Sequence, residues 1–183
     1  MSRKAKATIE DLYHIPENGK AELVNGEIVL MSPTGGVPGL AGREICFSLR
    51  EYERRTGTGY AFPDNVGFVV NLPHRGSFSP DAAFYTGALK GGLFLDGAPI
   101  FAVEVRSEGD YGPRAERAMA EKRADYFAAG TLVVWDVDVL RDRVVRVYRA
   151  SDPERPTLYH GGEVAEAEPA LPGWSMPVND LLP

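Results

Sequence analysis

Apolar positions along this chain recur with a helical period in some stretches and a strand period in others, and turn-forming residues separate them. Ala21-Glu22-Leu23-Val24 and Glu27-Ile28-Val29-Leu30-Met31 flank Asn25-Gly26. Asn-Gly supplies the two positive-φ positions of a type I′ turn, so the pair is predicted to be a β-hairpin. Before it, Thr8-Ile9-Glu10-Asp11 has the form of a capped helix start, with a stop near Pro16. After it, Pro33 to Gly39 reads as a loop. Ile45, Leu49 and Tyr52 then fall at helical spacing, which predicts a helix over 40–55 ending at Gly57. Short strands are predicted over 59–62, 65–70 and 81–85, followed by the apolar run Pro99-Ile100-Phe101-Ala102-Val103-Glu104-Val105. Ser107 to Gly112 is a loop, and Pro113 suits the first turn of a helix reaching Ala129 with Gly130 as its stop. Thr131 to Val137 is a β-branched strand, joined by a tight turn to Arg143–Tyr148. The tail, with Pro169, Pro172 and Pro177, is expected to be mostly irregular, with one short strand near Glu163. The order of elements predicts an α/β (α+β) protein, a mixed sheet with two longer helices packed on it, in one domain over 1–183.

Against that pattern, Glu104 stands out. It interrupts a run that reads as a central strand, where both faces are normally apolar. A carboxylate there must shift its pKa, meet a cation or bind a metal. Strand alternation puts Glu104 on one face with Ala102 and Arg106. On the following helix Ala115, Ala118, Met119, Lys122, Tyr126 and Ala129 form an inward stripe in which Lys122 is the one charge. Arg114, Arg117, Glu121 and Asp125 mark its solvent side. Asp81, after Pro80, opens an earlier strand. Acid, acid and lysine on adjacent elements suit a divalent metal and a phosphodiester. The structural alternatives are a lysine that solvates its head, an aspartate that merely serves a turn, and a plain Glu104–Lys122 ion pair.

Bulk properties narrow the function classes. The 183 residues carry a net charge of −6, which argues against non-specific coating of nucleic acid. The charge is uneven: from Asp152 to Glu168 five acids face only Arg155, whereas bases hold a small majority from Arg114 to Arg149. No run approaches the ~20 apolar residues of a membrane span. The basic start, Met1-Ser2-Arg3-Lys4-Ala5-Lys6, leads into no apolar stretch of a secretory signal. Cys46 is the only cysteine and reads as a small apolar core residue in a reducing cytoplasm.

The sequence resembles the PD-(D/E)XK nuclease superfamily, and within it a group of small bacterial endonuclease-like proteins. The resemblance rests on an ordered set: Ala21 to Val29, Met31-Ser32-Pro33, Ser79-Pro80-Asp81, Val103-Glu104-Val105-Arg106-Ser107, Lys122 to Tyr126, and Gly130 through Trp135-Asp136-Val137-Asp138. It implies a restriction-endonuclease-like αβββαβ core with an N-terminal β-hairpin extension, Asp81 and Glu104 on adjacent strands, and Glu22 as a further acidic site residue. The usual lysine position of the motif is Arg106, and the lysine is moved to the next helix as Lys122. Relatives commonly carry a histidine in the loop after Met-Ser-Pro-Thr; here the stretch is Gly35-Gly36-Val37-Pro38-Gly39.

The implied chemistry is hydrolysis of nucleic acid, with DNA the expected substrate. Asp81, Glu104 and the Val105 carbonyl would hold Mg²⁺ or Mn²⁺, and Lys122 would act on the attacking water with a lowered pKa. Arg106 is a candidate phosphate clamp, or else a structural partner of Glu104 or Glu108. Two other functions stay open: a fold-retaining but inactive binding or assembly module, favoured by Arg106, the missing histidine and the acidic charge, and a metal-dependent hydrolase acting on RNA or a small phosphoester. Apolar hairpin and tail surfaces suggest a homodimer.

Overall fold

The structure, a computed structural model, describes residues 6–15 and 19–183. The basic start at Met1–Ala5 and the helix stop expected at Pro16 lie outside the described residues. Helix α1 (Ile9–Tyr13) is capped by Thr8, which accepts from the Asp11 amide while the Asp11 carboxylate accepts from the Thr8 amide. Strands β1 (Ala21–Val24) and β2 (Glu27–Leu30) form the hairpin, with Asn25 and Gly26 at φ 54° and 75°. This is the left-handed pair that a type I′ turn requires.

The core follows in the order helix, three strands, helix, strand. Helix α2 (Gly36–Thr56) leads into β3 (Tyr60–Pro63). A small side sheet is made by β4 (Phe68–Val69), β5 (Ser77–Phe78) and, after β6 (Ala82–Tyr85), by β7 (Leu95–Asp96). Then come β8 (Phe101–Val105), helix α3 (Pro113–Ala128) and β9 (Val133–Asp138). Two further strands, β10 (Val144–Arg149) and β11 (Asp152–His160), extend the main sheet to the order β11-β10-β9-β8-β6-β3. Only β8 and β9 run parallel in it, as a connection through a helix demands.

Both faces of the central strands are covered, which explains their near-continuous apolar runs. On one face Ile45, Leu49 and Tyr52 of α2 pack with Phe84, Phe101, Val103, Val133 and Trp135. On the other, Tyr126 of α3 joins Phe68, Phe78, Ala83, Ala102 and Val134. The alternation in β8 therefore sends Val103 and Val105 toward α2, and Ala102 and Glu104 toward α3.

Three sequence expectations change. Helix α2 begins at Gly36, not Leu40, because Pro38 falls in its first turn, where a missing amide costs no helical bond. On α3, Ala118 is exposed and Asp125 is buried, so the inward stripe is displaced from the one predicted. The tail is ordered rather than irregular. It forms β11, the pair β12 (Val164–Glu166) and β13 (Ser175–Pro177), and a 3₁₀ turn over Val178–Leu181. Pro153 and Pro156 are accommodated because β11 is an edge strand. Leu171, Trp174, Met176, Val178 and Leu181 join the α2-side core. Val29, Leu30, Leu158 and Val164 stay exposed, and these are the residues on which the homodimer expectation stands. No helix among the described residues is long and apolar enough to cross a membrane.

Candidate active site

Strand register assembles the site. Ala82 pairs with Val103 across β6 and β8, so Asp81, one residue earlier, lies beside Glu104 on the α3 side. The backbone locks this: the Asp81 amide donates to the Val103 carbonyl (2.9 Å) and the Val105 amide to Asp81 Oδ2 (2.7 Å). Lys122 reaches down from α3, with Nζ 2.8 Å from Glu104 Oε1 and 2.9 Å from Glu22 Oε1. The structure thus brings together Asp81, Glu104, Lys122 and Glu22. Lys122 does not solvate its ammonium outside the core, and Glu22 is not an exposed hairpin carboxylate: it is 3% exposed.

Each acid has a distinct set of partners. Glu22 Oε1 also accepts from the Ser79 amide (2.8 Å), and Oε2 accepts from Arg75 Nη1 (2.7 Å). Arg75 stands over the Phe78 ring and donates through Nε to Asp125 Oδ2 (2.7 Å), whose other oxygen lies 2.6 Å from His74 Nε2. Glu104 Oε1 accepts a second hydrogen bond, from the Tyr126 hydroxyl (2.7 Å), and its side chain keeps 20% of its surface exposed. Asp81 Oδ1 accepts from Lys20 Nζ at 2.6 Å, and the same ammonium lies 2.7 Å from Asp64 Oδ1.

Charge states follow from these neighbours. Burial pushes the Glu104 carboxyl up, Lys122 opposes this, and Asp81 and Glu22 push it further up; it ends above the ordinary range. Burial also pushes Glu22 up, but Lys122, Arg75 and the Ser79 amide outweigh it and hold Glu22 below the ordinary range. For Lys122 burial alone would favour the neutral amine, yet Glu104 and Glu22 together raise its pKa. The lowered lysine pKa expected from the sequence is not what these neighbours give: two carboxylates at hydrogen-bonding distance outweigh desolvation. Lys20 is likewise held cationic, with burial opposed by Asp81 and Glu104.

Arg106 is the second correction. Its Nε and Nη2 each donate over 2.7 Å to the two oxygens of buried Asp136, and Glu116 takes the rest of the guanidinium. It is 4% exposed and pairs with neither Glu104 nor Glu108. The Asp110 carbonyl accepts the fifth N–H, from Nη1 at 3.4 Å, so a planar fork held by two carboxylates and this carbonyl has no donor left for a phosphate clamp. Asp110 caps the Ser107 amide, and Tyr111 donates to Asp138.

Lys20, Arg75 and Asp125 were not legible as site residues. Lys20 carried a usable signal: it lies two residues before Glu22, so strand alternation places both on one side of β1. Arg75 sits in a connection between strands with no period to read, and Asp125 lies on the polar side of the helical period, where Arg75 covers it. Among the described residues no group of three or more His, Cys, Asp or Glu side chains forms a ready-made metal cage.

These charge states give opposite effects for two similar substitutions. A carboxyl with a depressed folded pKa adds stability that is present above its unfolded value, 4.5, and lost as pH falls through the folded value. A carboxyl with a raised one is destabilised by ionising. Glu22→Gln is expected to lower the melting temperature at pH 7, and Glu104→Gln to raise it. Both differences from wild type should shrink in acid, where the glutamates are protonated; a Glu104→Gln protein that melts lower at pH 7 refutes the second assignment. Urea unfolding tests Arg106: Arg106→Ala should lose about 3–5 kcal/mol by leaving buried Asp136 without the guanidinium that hydrogen-bonds both its oxygens. Arg106→Lys should recover little of this, since an ammonium cannot match the two-pronged contact.

Over residues 8–179 the sequence matches the model of the Uma2 family, whose description is "Putative restriction endonuclease". No curated protein sequence matches the chain. Among solved structures it is similar to a "putative nuclease belonging to DUF820" from Anabaena variabilis, with a TM-score of 0.74 and 17% identity over 95% of this chain and 96% of that one. At that identity the likeness establishes the fold alone, a mixed sheet flanked by helices. Because the family model spans nearly the whole chain, the protein belongs to the Uma2 family.

Proposed function

We propose that the protein is a divalent-metal-dependent nuclease that hydrolyses phosphodiester bonds of nucleic acid, DNA being the expected substrate. The observation that carries this reading is the Lys122 ammonium shared between buried Glu22 and half-buried Glu104, with Asp81 in register beside them. Stability alone does not account for it: burying carboxylates and a lysine rarely gains over packing apolar residues in the same space. The family description and the nuclease-type neighbour support the same reaction class.

The donor set fits a hard cation. Asp81 and Glu104 offer carboxylate oxygens, and the Val105 carbonyl is the candidate third ligand, as expected from the sequence. Mg²⁺ asks for only one or two carboxylates and keeps its remaining positions for water and substrate phosphate. When bound, Mg²⁺ or Mn²⁺ supplies Lewis-acid polarisation of the phosphoryl group and a more acidic water.

The chain's own residues do the rest. Lys122, cationic and fixed by two carboxylates, offsets negative charge developing on the phosphoryl oxygens and orients the attacking water. Glu22 holds that lysine in place and is itself fixed by Arg75 and the Ser79 amide. Tyr126 fixes the Glu104 carboxylate through its hydroxyl. The motif departure at Arg106 ceases to count against catalysis, since Arg106 holds Asp136 while Lys122 brings an ammonium to Glu104 from the helix. This observation favours the active reading over the inactive module.

Cleavage of plasmid DNA and of single-stranded RNA with Mn²⁺ or Mg²⁺ tests the proposal. Asp81→Ala and Glu104→Ala should abolish cleavage while circular dichroism stays native. Lys122→Ala should lower turnover by about 10²–10³, the scale of a lost transition-state charge contact, without loss of metal affinity. A wild-type protein that binds metal yet cuts neither polymer makes the inactive module the better reading.

A further inference from the structure

We infer that Lys20 is a resident counter-ion of the metal seat, holding Asp81 in the metal-free protein and passing to Asp64 when a divalent cation takes Asp81. The inference rests on the metal-dependent reading above and concerns how the same site is loaded.

The geometry carries it. Of the two Asp81 oxygens, Oδ2 accepts from the Val105 amide at 2.7 Å, so Oδ1 is the oxygen that no backbone group holds and the one more open to a cation. Lys20 Nζ lies 2.6 Å from that atom. An ammonium at contact distance from Oδ1 repels a divalent cation approaching the same oxygen and occupies the direction from which it would bind. Metal binding at Oδ1 therefore favours a Lys20 that has moved to its other partner.

It has somewhere to go. Asp64, immediately after β3, already lies 2.7 Å from the same ammonium and is 43% exposed, against 13% for Asp81. The Asp64 carboxylate also accepts from the Asn65 amide at 2.7 Å, which steadies it as a receiving partner. Moving from a carboxylate pair to Asp64 alone leaves Lys20 charged, partnered and closer to solvent. The backbone need not follow, since the Met31 amide donates to the Lys20 carbonyl (2.9 Å) and pins the residue at the base of the hairpin. Rotation of a four-carbon side chain is sufficient. Lys20 is thus a positioning residue that acts through Asp81, and Asp64 acts only through Lys20.

That dependence gives a test on the full-length protein with Mn²⁺ alone, by calorimetry and thermal melting. Lys20→Met should bind Mn²⁺ about tenfold more tightly than wild type, the scale on which groups bordering a metal site act. Its metal-free form should melt lower and gain more on Mn²⁺ saturation. Asp64→Asn should bind more weakly, because Lys20 then has Asp81 as its only partner. In the Lys20→Met/Asp64→Asn double variant the Asp64 effect should vanish. If the two substitutions instead add, both charges act only through the general field and the exchange is refuted. Unchanged or weaker binding by Lys20→Met, with normal wild-type binding, refutes the exchange and leaves the nuclease reading standing. No Mn²⁺ binding by any of the four proteins, with or without DNA, removes the metal-dependent reading and this inference with it.

Discussion

One ammonium, that of Lys122, determines how the rest of the structure can be arranged. It stands between Glu22 on the hairpin, Glu104 on a central strand, and α3, on which it is carried. Two buried carboxylates without it would repel each other in a medium where such repulsion is weakly screened. With it, the hairpin, the sheet and the helix are tied at one point. The apolar contribution of α3 is slight by comparison: apart from Asp125, Tyr126 is its only buried residue. Even Tyr126 is bifunctional, stacking on Phe78 at 4.0 Å and donating its hydroxyl to Glu104. The helix that carries the site lysine is thus held down largely by the site's own polar contacts, which ties local order of the site to its charge balance.

A polar row runs across the same face of the sheet. Asp81, Glu104, Asp136 and Arg146 follow one another over β6, β8, β9 and β10, each opposite or one step beyond its neighbour in the register. Adjacent acids at Glu104 and Asp136 are tolerable because they face different cations. Lys122 and Lys20 serve the first pair of the row; Arg106, with Arg123 and Arg146 at 3.7 and 3.9 Å, serves Asp136. A bidentate guanidinium locked on Asp136 keeps that carboxylate from competing for Lys122. The arginine at the motif's lysine position is therefore a divider between two charge clusters.

The sequence made some of this visible and hid the rest for identifiable reasons. The Asn25-Gly26 turn, the bounds of α3 and the anomaly of Glu104 are local, written in φ preference, period and a charge inside an apolar run. Lys122 followed from the helical period. Asp125 did not, because a helical wheel reports angle, and the partner that buries Asp125 comes from a connection 50 residues earlier. The tail is more ordered than Pro169, Pro172 and Pro177 predict, because it packs Leu171, Trp174 and Met176 into the α2-side core, a long-range contact with no local signal. Arg106 was placed on the correct face but given the wrong partner, since pairing across β8 and β9 depends on a parallel register set by the length of the intervening crossover.

The connected site leaves a charge imbalance that orders its chemistry. Asp64, Asp81, Glu22, Glu104 and Asp125 are joined, directly or through shared partners, to Lys20, Lys122 and Arg75. Five carboxylates face three lysine and arginine cations, so acidic groups outnumber these partners by two. The surplus is not spread evenly. Glu22 is satisfied from three directions and prefers to be ionised, whereas Glu104 is pushed toward protonation by burial first and by its acidic neighbours Asp81 and Glu22 after it. The deficit of positive charge therefore falls where Asp81 and Glu104 meet, at the half-buried end of the network, and a divalent cation is the species whose charge and oxygen preference match it. On the proposed metal-dependent reading, Glu22 and Arg75 would be the fixed part of the site, and Asp81, Glu104 and Lys20 the part that would rearrange around a cation.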